Sequence, residues 1–488
     1  MSAISSPAQS LPTSDDSFSA PVPAAQIDGS CRAPVLLLLV SAAVWLVISS
    51  VFGVIATLKF HAPGLLADCP AFTYGRVHAA ALNALVYGFG IQAGLGVLLW
   101  MLAHLGRTRL AMGPTIIMGA LLFNIGMTVG ILGILGGDST GYEWLEMPRY
   151  AAVPLFIGYL LIGAGGVVTL HERCERQLSS PQWFALAALL WFPWIYSTAQ
   201  FLLVTHPVRG ALQFALDSWY INNLKTVWFG LTGLAAIFYF ISKLTERPLY
   251  SHYIGVFIFW TLTLFGSWGA VPPGSPLPAW LPTLSSMGAL LTIVPVIAAG
   301  INVRQTLKGT CSKMGECRPL KFFWFGSVAY VLSGLAGAVM FLKPVSETLN
   351  FTWFIPAQTQ LLLYGFVGIT MIGAIYHIVP RLLQTEFPSP GQICGTFLLA
   401  AIGVLFYSVP LAIGGIVQGH ALNDAAKPFA EVMNSELLFL RISTLGDFLM
   451  AFANLLLLLN LVRILVRAGQ TSAAAAWAAN SKTSEVRT

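Results

Sequence analysis

The chain has 488 residues, of which 56% are hydrophobic and only 9% charged, and its mean hydropathy is +0.76. A soluble domain carries roughly 25% charged residues, so this composition excludes a water-soluble globular protein and predicts an all-α, polytopic membrane helix bundle. The net charge of +6 is scattered over short loops, which argues against nucleic acid and makes membrane lipid the surrounding partner.

Residues 1–30 are rich in Ser, Pro and Ala and have no basic start before an apolar run, so they predict a disordered tail and not a signal peptide. Residues 31–467 predict one transmembrane domain, and 468–488 a second disordered tail. Within the domain, twelve apolar runs reach the roughly 20 residues that a spanning helix needs. The first six lie near 34–59, 76–104, 111–136, 150–170, 182–205 and 221–242. The other six lie near 253–270, 281–302, 322–342, 354–380, 391–417 and 437–466.

With the amino terminus in the cytoplasm, the inner loops are "GRTR", "HERCERQ", "SKLTER", "RQTLKGTCSKMGECRPLK" and "PRLLQ". The outer loops "GGDSTGYEWLEMPR", "SETLN" and "LNDAAKPFAE" are dominated by acids. Lys and Arg then divide 17 inside to 8 outside, and the positive-inside rule predicts that both termini are cytoplasmic. No internal repeat is visible, which weighs against an inverted-repeat transporter. The six cysteines show neither disulfide nor zinc spacing, and Cys311 and Cys317 in the basic loop read as ordinary thiols.

Three polar residues inside apolar runs are candidates for function. His78 opens the second helix in "GRVHAAALNALVYGFG", and its alternatives are a metal ligand or an interfacial histidine. Lys225 reads as close to an outer helix end, where a lysine snorkels. Asp447 lies about ten residues into the last helix, where an ionisable group is a functional hypothesis by default. Its alternative is a packing contact with Asn454 or Ser443.

"YGRVHAAALNALVYGFG" resembles the second helix of the catalytic subunit of heme-copper oxidases of the cbb3 type, cytochrome c oxidase subunit I. "WYINNLKTVWFGLTG", "RPLYSHYIGVFIFW" with "GSWGAVPPGSPLPAW", and "TWFIPAQTQLLLYGFVGITMIGAIYHIVPRL" resemble helices six, seven and ten, in order. The resemblance covers most of 34–466 and implies the same twelve-helix fold in a bacterial inner membrane. It also implies a place in an aerobic respiratory chain beside other respiratory membrane subunits, including cytochrome c-type ones.

That family holds haem b and copper with six histidines, whose neutral imidazoles suit both metals. Carried over position by position, the low-spin haem ligand of the second helix falls at Ala81, and the helix-six copper ligand at Asn222. The copper pair falls at Pro272 and Pro273, or at Ala270 and Val271, and the two helix-ten haem ligands at Gln358 and Gln360. The active-site tyrosine falls at Gly266 or Leu264. No histidine occurs at 79–103, 207–251 or 253–376, and amide oxygens bind haem iron and copper poorly.

The resulting expectation is a subunit I-like pseudoenzyme with no catalytic, cofactor-binding or metal residue, carrying neither haem nor copper. Its role would be that of a structural or regulatory partner of an oxidase complex, not that of an oxidoreductase. Two alternatives are a haem-bearing electron carrier that uses a displaced ligand such as His78, and a transporter or lipophilic-ligand binder that uses the vacated cavity. A void of several hundred Å³ would cost on the order of 10 kcal/mol. The former sites are therefore expected to collapse around Leu361, Leu362, Leu363, Trp228 and Phe229, with Gln358 and Gln360 buried and amide-paired, including to Asn222.

Overall fold

Hydrocarbon offers no partner to a backbone N–H or C=O, so an apolar run that enters it must satisfy them internally and becomes a helix. A computed structural model describes residues 21–175, 177–310, 315 and 318–485. Its first six long helices are α1 (Ala24–Leu58), α2 (Tyr74–Gly106), α3 (Gly113–Gly136), α4 (Arg149–His171), α5 (Ser180–Thr205) and α6 (Ala211–Thr245). They are followed by α7 (His252–Gly266), α8 (Trp280–Thr306), α9 (Pro319–Val339), α10 (Phe354–Leu383), α11 (Pro390–Leu422) and α12 (Phe429–Glu485).

Among the described residues, eleven helices are long and apolar enough to cross a membrane, one fewer than the twelve expected. The exception is α7, with 15 residues. At 1.5 Å per residue it spans about 22 Å, short of a hydrocarbon core of about 30 Å. The tails also differ from expectation. Residues 24–30 already belong to α1, and α12 continues through Glu485, where an alanine run favours helix. Residues 1–20 and 486–488 of the expected tails, and Cys311 and Cys317, lie outside the described residues.

The centre of the bundle is α2, α6 and α10, whose most apolar stretches are buried over 100, 89 and 94% of their residues, against 39–50% for the other spanning helices. A helix that is hydrophobic all round belongs in such a centre, whereas the outer helices keep a face for lipid. On α3 that face is Leu121, Ile125, Val129 and Leu132, all exposed at helical spacing. The three central helices each widen into a π-helical turn, at Ala84–Ile91, Asn223–Trp228 and Leu361–Gly368. Each turn begins within three residues of Ala81, Asn222 or Gln360. Such turns recur at functional sites because the extra residue re-aims the side chains around it.

The two ends of the bundle differ. At the end that carries the loop 137–148, Glu146 Oε2 accepts from Asn83 Nδ2 of α2 at 2.7 Å. At the opposite end, Asp28 Oδ1 accepts from Trp100 Nε1 and faces His104 Nε2, both at 2.9 Å, and this ties α1 to α2.

Candidate functional site

Two cavities flank α10, and the candidate residues divide between them. The first, of about 270 Å³, is bounded by Asn222 and Lys225 of α6, Tyr330 and Ser333 of α9, and Gln358 of α10. Gly266, Ala270 and Pro272 close it from the α7 side, whereas Leu264 is 60% exposed. The second, of about 170 Å³, lies between α1, α2, α10 and α12 and includes His78, Ala81, Gln360 and Asp447. Gln358 and Gln360 separate because residues two apart on a helix point about 200° from each other.

The first cavity is organised by hydrogen bonds to α6. Lys225 Nζ donates to Gln358 Oε1 at 3.2 Å, and Gln358 Nε2 donates to Ser333 O at 2.9 Å. Asn222 Nδ2 donates to Gly266 O at 2.6 Å, while Thr226 Oγ1 donates to Asn222 Oδ1 at 3.1 Å. Asn223 Nδ2 reaches Ser267 O at 3.1 Å. The last carbonyls of a helix lack partners within it, and these two asparagines satisfy the end of α7. Tyr330 is 5% exposed, and its hydroxyl has no hydrogen-bond partner among the described residues.

Lys225 is therefore not a snorkelling residue near a helix end. Helix α6 begins at Ala211, ten residues before the expected start, so Lys225 lies 14 residues into it, about 21 Å at the α-helical rise, and faces the cavity. The amide pairing is also corrected. Gln358 is buried, but its partners are Lys225 and Ser333, and Asn222 is turned to α7. Gln360 is half-buried, and its Nε2 lies 3.7 Å from Met450 Sδ. Collapse is incomplete. Of the expected fillers only Leu362 lines the first cavity; Trp228 Nε1 donates to Tyr159 Oη at 3.1 Å, and the Phe229 ring packs on Gly90 of α2.

In the second cavity Asp447 lies beside Thr57, and its Oδ2 has no partner among the described residues. Neither expected contact forms. Asn454 accepts from Tyr364 Oη at 2.6 Å and donates to Ser50 Oγ at 2.7 Å, and Ser443 Oγ donates to Leu440 O at 2.9 Å. His78 is exposed at the mouth, stacked on Tyr74 with ring centroids 5.3 Å apart and planes at 12°. It is the one imidazole among the described residues that line either cavity.

Sequence reasoning missed Tyr330 and Ser333, because nothing distinguishes them from other polar residues on an apolar helix. It missed Glu146, which lies in a loop but is drawn under α2. Burial pushes the Glu146 carboxyl up to about 7, against the opposing pull of the Asn83 hydrogen bond.

Comparison with known proteins gives a consistent lineage. The family described as Cytochrome C and Quinol oxidase polypeptide I matches residues 33–449. The cbb3-type cytochrome c oxidase subunit CcoN1 of Stutzerimonas stutzeri is 26% identical over 408 residues, covering 78% of this chain and 83% of its own length. A cytochrome c oxidase subunit 1 homolog of Azorhizobium caulinodans is 25% identical over 479 residues, 93% of this chain and 86% of the relative. Among solved structures, a heme-copper terminal oxidase dimer superimposes with a TM-score of 0.72 at 13% identity, over 89% of this chain and 84% of that one, a likeness in fold.

These matches correct the expectation of a chain without haem or copper. The matched family and the structural neighbour are heme-copper oxidases, and that kinship gives a cofactor-free chain no support. What the first cavity offers such a group is a separate finding. Its polar groups are an ammonium, hydroxyls and the amides of Asn222 and Gln358, which already donate to protein carbonyls, and this set does not fit the imidazole ligation of haem iron and copper.

Proposed function

This chain belongs to the cytochrome c and quinol oxidase polypeptide I family, and we propose that it serves a respiratory oxidase complex without itself reducing oxygen. It is a multi-pass, cbb3-type subunit I-like protein of a bacterial plasma membrane. The relatives are named as subunits of cytochrome c oxidase, so the proposed setting is a complex with other respiratory membrane subunits, cytochrome c-type ones included. Both termini are proposed to be cytoplasmic, on the distribution of Lys and Arg.

One observation carries the non-catalytic reading. Around the first cavity, where the resemblance would place copper and haem imidazoles, Lys225 donates to Gln358 and Asn222 donates to the end of α7. Reduction of oxygen by the family chemistry relies on imidazole-held metals, and the ammonium and amides around this cavity do not fit such ligation. The reading therefore assigns the chain a structural or regulatory role. The test is purification in mild detergent, followed by oxygen uptake with reduced cytochrome c and with quinol as donors. The expected result is co-elution with other respiratory subunits and no uptake by the isolated chain. Sustained oxygen consumption by the isolated chain would overturn it.

A further inference from the structure

We propose that the first cavity is a binding site for a single-chain carboxylate amphiphile, with Lys225 and Tyr330 receiving the carboxylate. An ammonium has three donors, and Lys225 uses one of them on Gln358 Oε1. No carboxylate among the described residues lies within ion-pair distance of it, and Glu143 attracts it only from farther off. A charge placed this way inside a bundle marks a ligand path by default. The second observation is independent of the lysine. Tyr330, 5% exposed, lines the same cavity from the facing helix α9, and its buried hydroxyl has no hydrogen-bond partner among the described residues.

The remaining wall selects the ligand. Leu262, Val296, Ile355, Leu362 and Phe366 are apolar, so the bound molecule brings carbon as well as charge. The cavity, of about 270 Å³, has room for a headgroup and the methylenes next to it. The chain then leaves past Phe214, Phe341 and Phe351, the last of which is 87% exposed. A quinone would leave the ammonium uncompensated, and a phosphate dianion would bring one charge too many. One carboxylate balances one ammonium and accepts charge-assisted hydrogen bonds from both donors.

This inference does not depend on the non-catalytic reading, because binding is measured without turnover. The full-length protein in phosphatidylcholine nanodiscs is titrated with laurate, dodecanol and dodecyl phosphate by calorimetry. Laurate is expected to saturate one site per chain and dodecanol to show no saturable binding. Lys225→Met is expected to weaken laurate about tenfold or more and Tyr330→Phe about threefold, as lost charge-assisted and neutral hydrogen bonds respectively. Gln358→Glu supplies an internal carboxylate to Lys225 and is expected to abolish laurate binding. If Lys225→Met fails to fold, Tyr330→Phe and Gln358→Glu still decide the matter. Saturable binding of dodecanol as tight as that of laurate, tighter binding of dodecyl phosphate, or unchanged laurate affinity in the variants would overturn the proposal.

Discussion

Lys225 on α6 and Gln358 on α10 are joined by a 3.2 Å hydrogen bond, and Gln358 hands the connection on to Ser333 O of α9 at 2.9 Å. The two ends of this relay are not equal in cost. Replacing Gln358 by Leu leaves the ammonium without its acceptor, and hydrogen bonds to charged groups contribute about 1.5–3 kcal/mol. Replacing Lys225 by Met loses the same bond but also removes an intramembrane charge that costs about 2.5–3.5 kcal/mol. Gln358→Leu is therefore expected to destabilise the protein by about 1.5–3 kcal/mol, and Lys225→Met to change stability by less than about 1 kcal/mol. Thermal unfolding of both variants in detergent checks the order; a larger loss in Lys225→Met would contradict it.

Glu146 sets a pH dependence. Its carboxyl is raised to about 7 by burial, so between the ordinary carboxylate range and about 7 the folded state binds more protons than the unfolded one. Its contribution is most favourable below the unfolded value and is lost as pH rises through about 7. Stability measured from pH 5 to 8.5 should fall with rising pH, and Glu146→Gln, which keeps an acceptor for Asn83, should flatten that slope. An unchanged slope in the variant would count against the assignment.

The contact between α11 and α12 depends on glycine. A Cβ on Gly446 would lie 2.6 Å from Tyr407 N and 2.7 Å from Gly403 O, both backbone atoms that cannot step aside. Small residues at such crossings let helices approach closely in lipid. Gly446→Val is expected to cost about 1–3 kcal/mol or more through overpacking. Gly469→Ala on the same helix, where nothing lies within 4 Å, should gain up to about 1 kcal/mol. Chemical denaturation of the two variants separates packing from helix propensity.

Orientation is testable by labelling. In a background without cysteines, Ser139→Cys in the exposed acidic loop should react with an impermeant thiol reagent in intact cells. Lys308→Cys, next to the basic loop, should react only after lysis. The reverse pattern would turn the protein over in the membrane.

Much of the architecture was legible because lipid imposes a simple rule. An apolar run of sufficient length must be helical, so composition and hydropathy were enough for the bundle and the positions of most spans. The ordered motifs around Ala81, Asn222, Gln358 and Gln360 pointed to the family that comparison then supported. Local pattern failed at the ends. The mixed stretch "ALQFALDSWYIN" continues α6 backward to Ala211, and α1 takes in Asp28, which then pairs with His104 and Trp100. These residues are helical because packing holds them, not because their hydrophobicity demands it.

The sequence by itself therefore determined an all-helical membrane chain of the oxidase subunit I kind and the poverty of imidazole along its central helices. Only the tertiary structure decided how the polar side chains on those helices are partnered. Which of Gln358 and Gln360 faces Lys225, and that Asn222 turns to the end of α7, depend on the π-helical turns and on the crossings of α6, α9 and α10. Side-chain direction on a helix repeats every 3.6 residues, so one inserted residue rotates everything after it by about 100°. No local reading of an apolar run carries that angle.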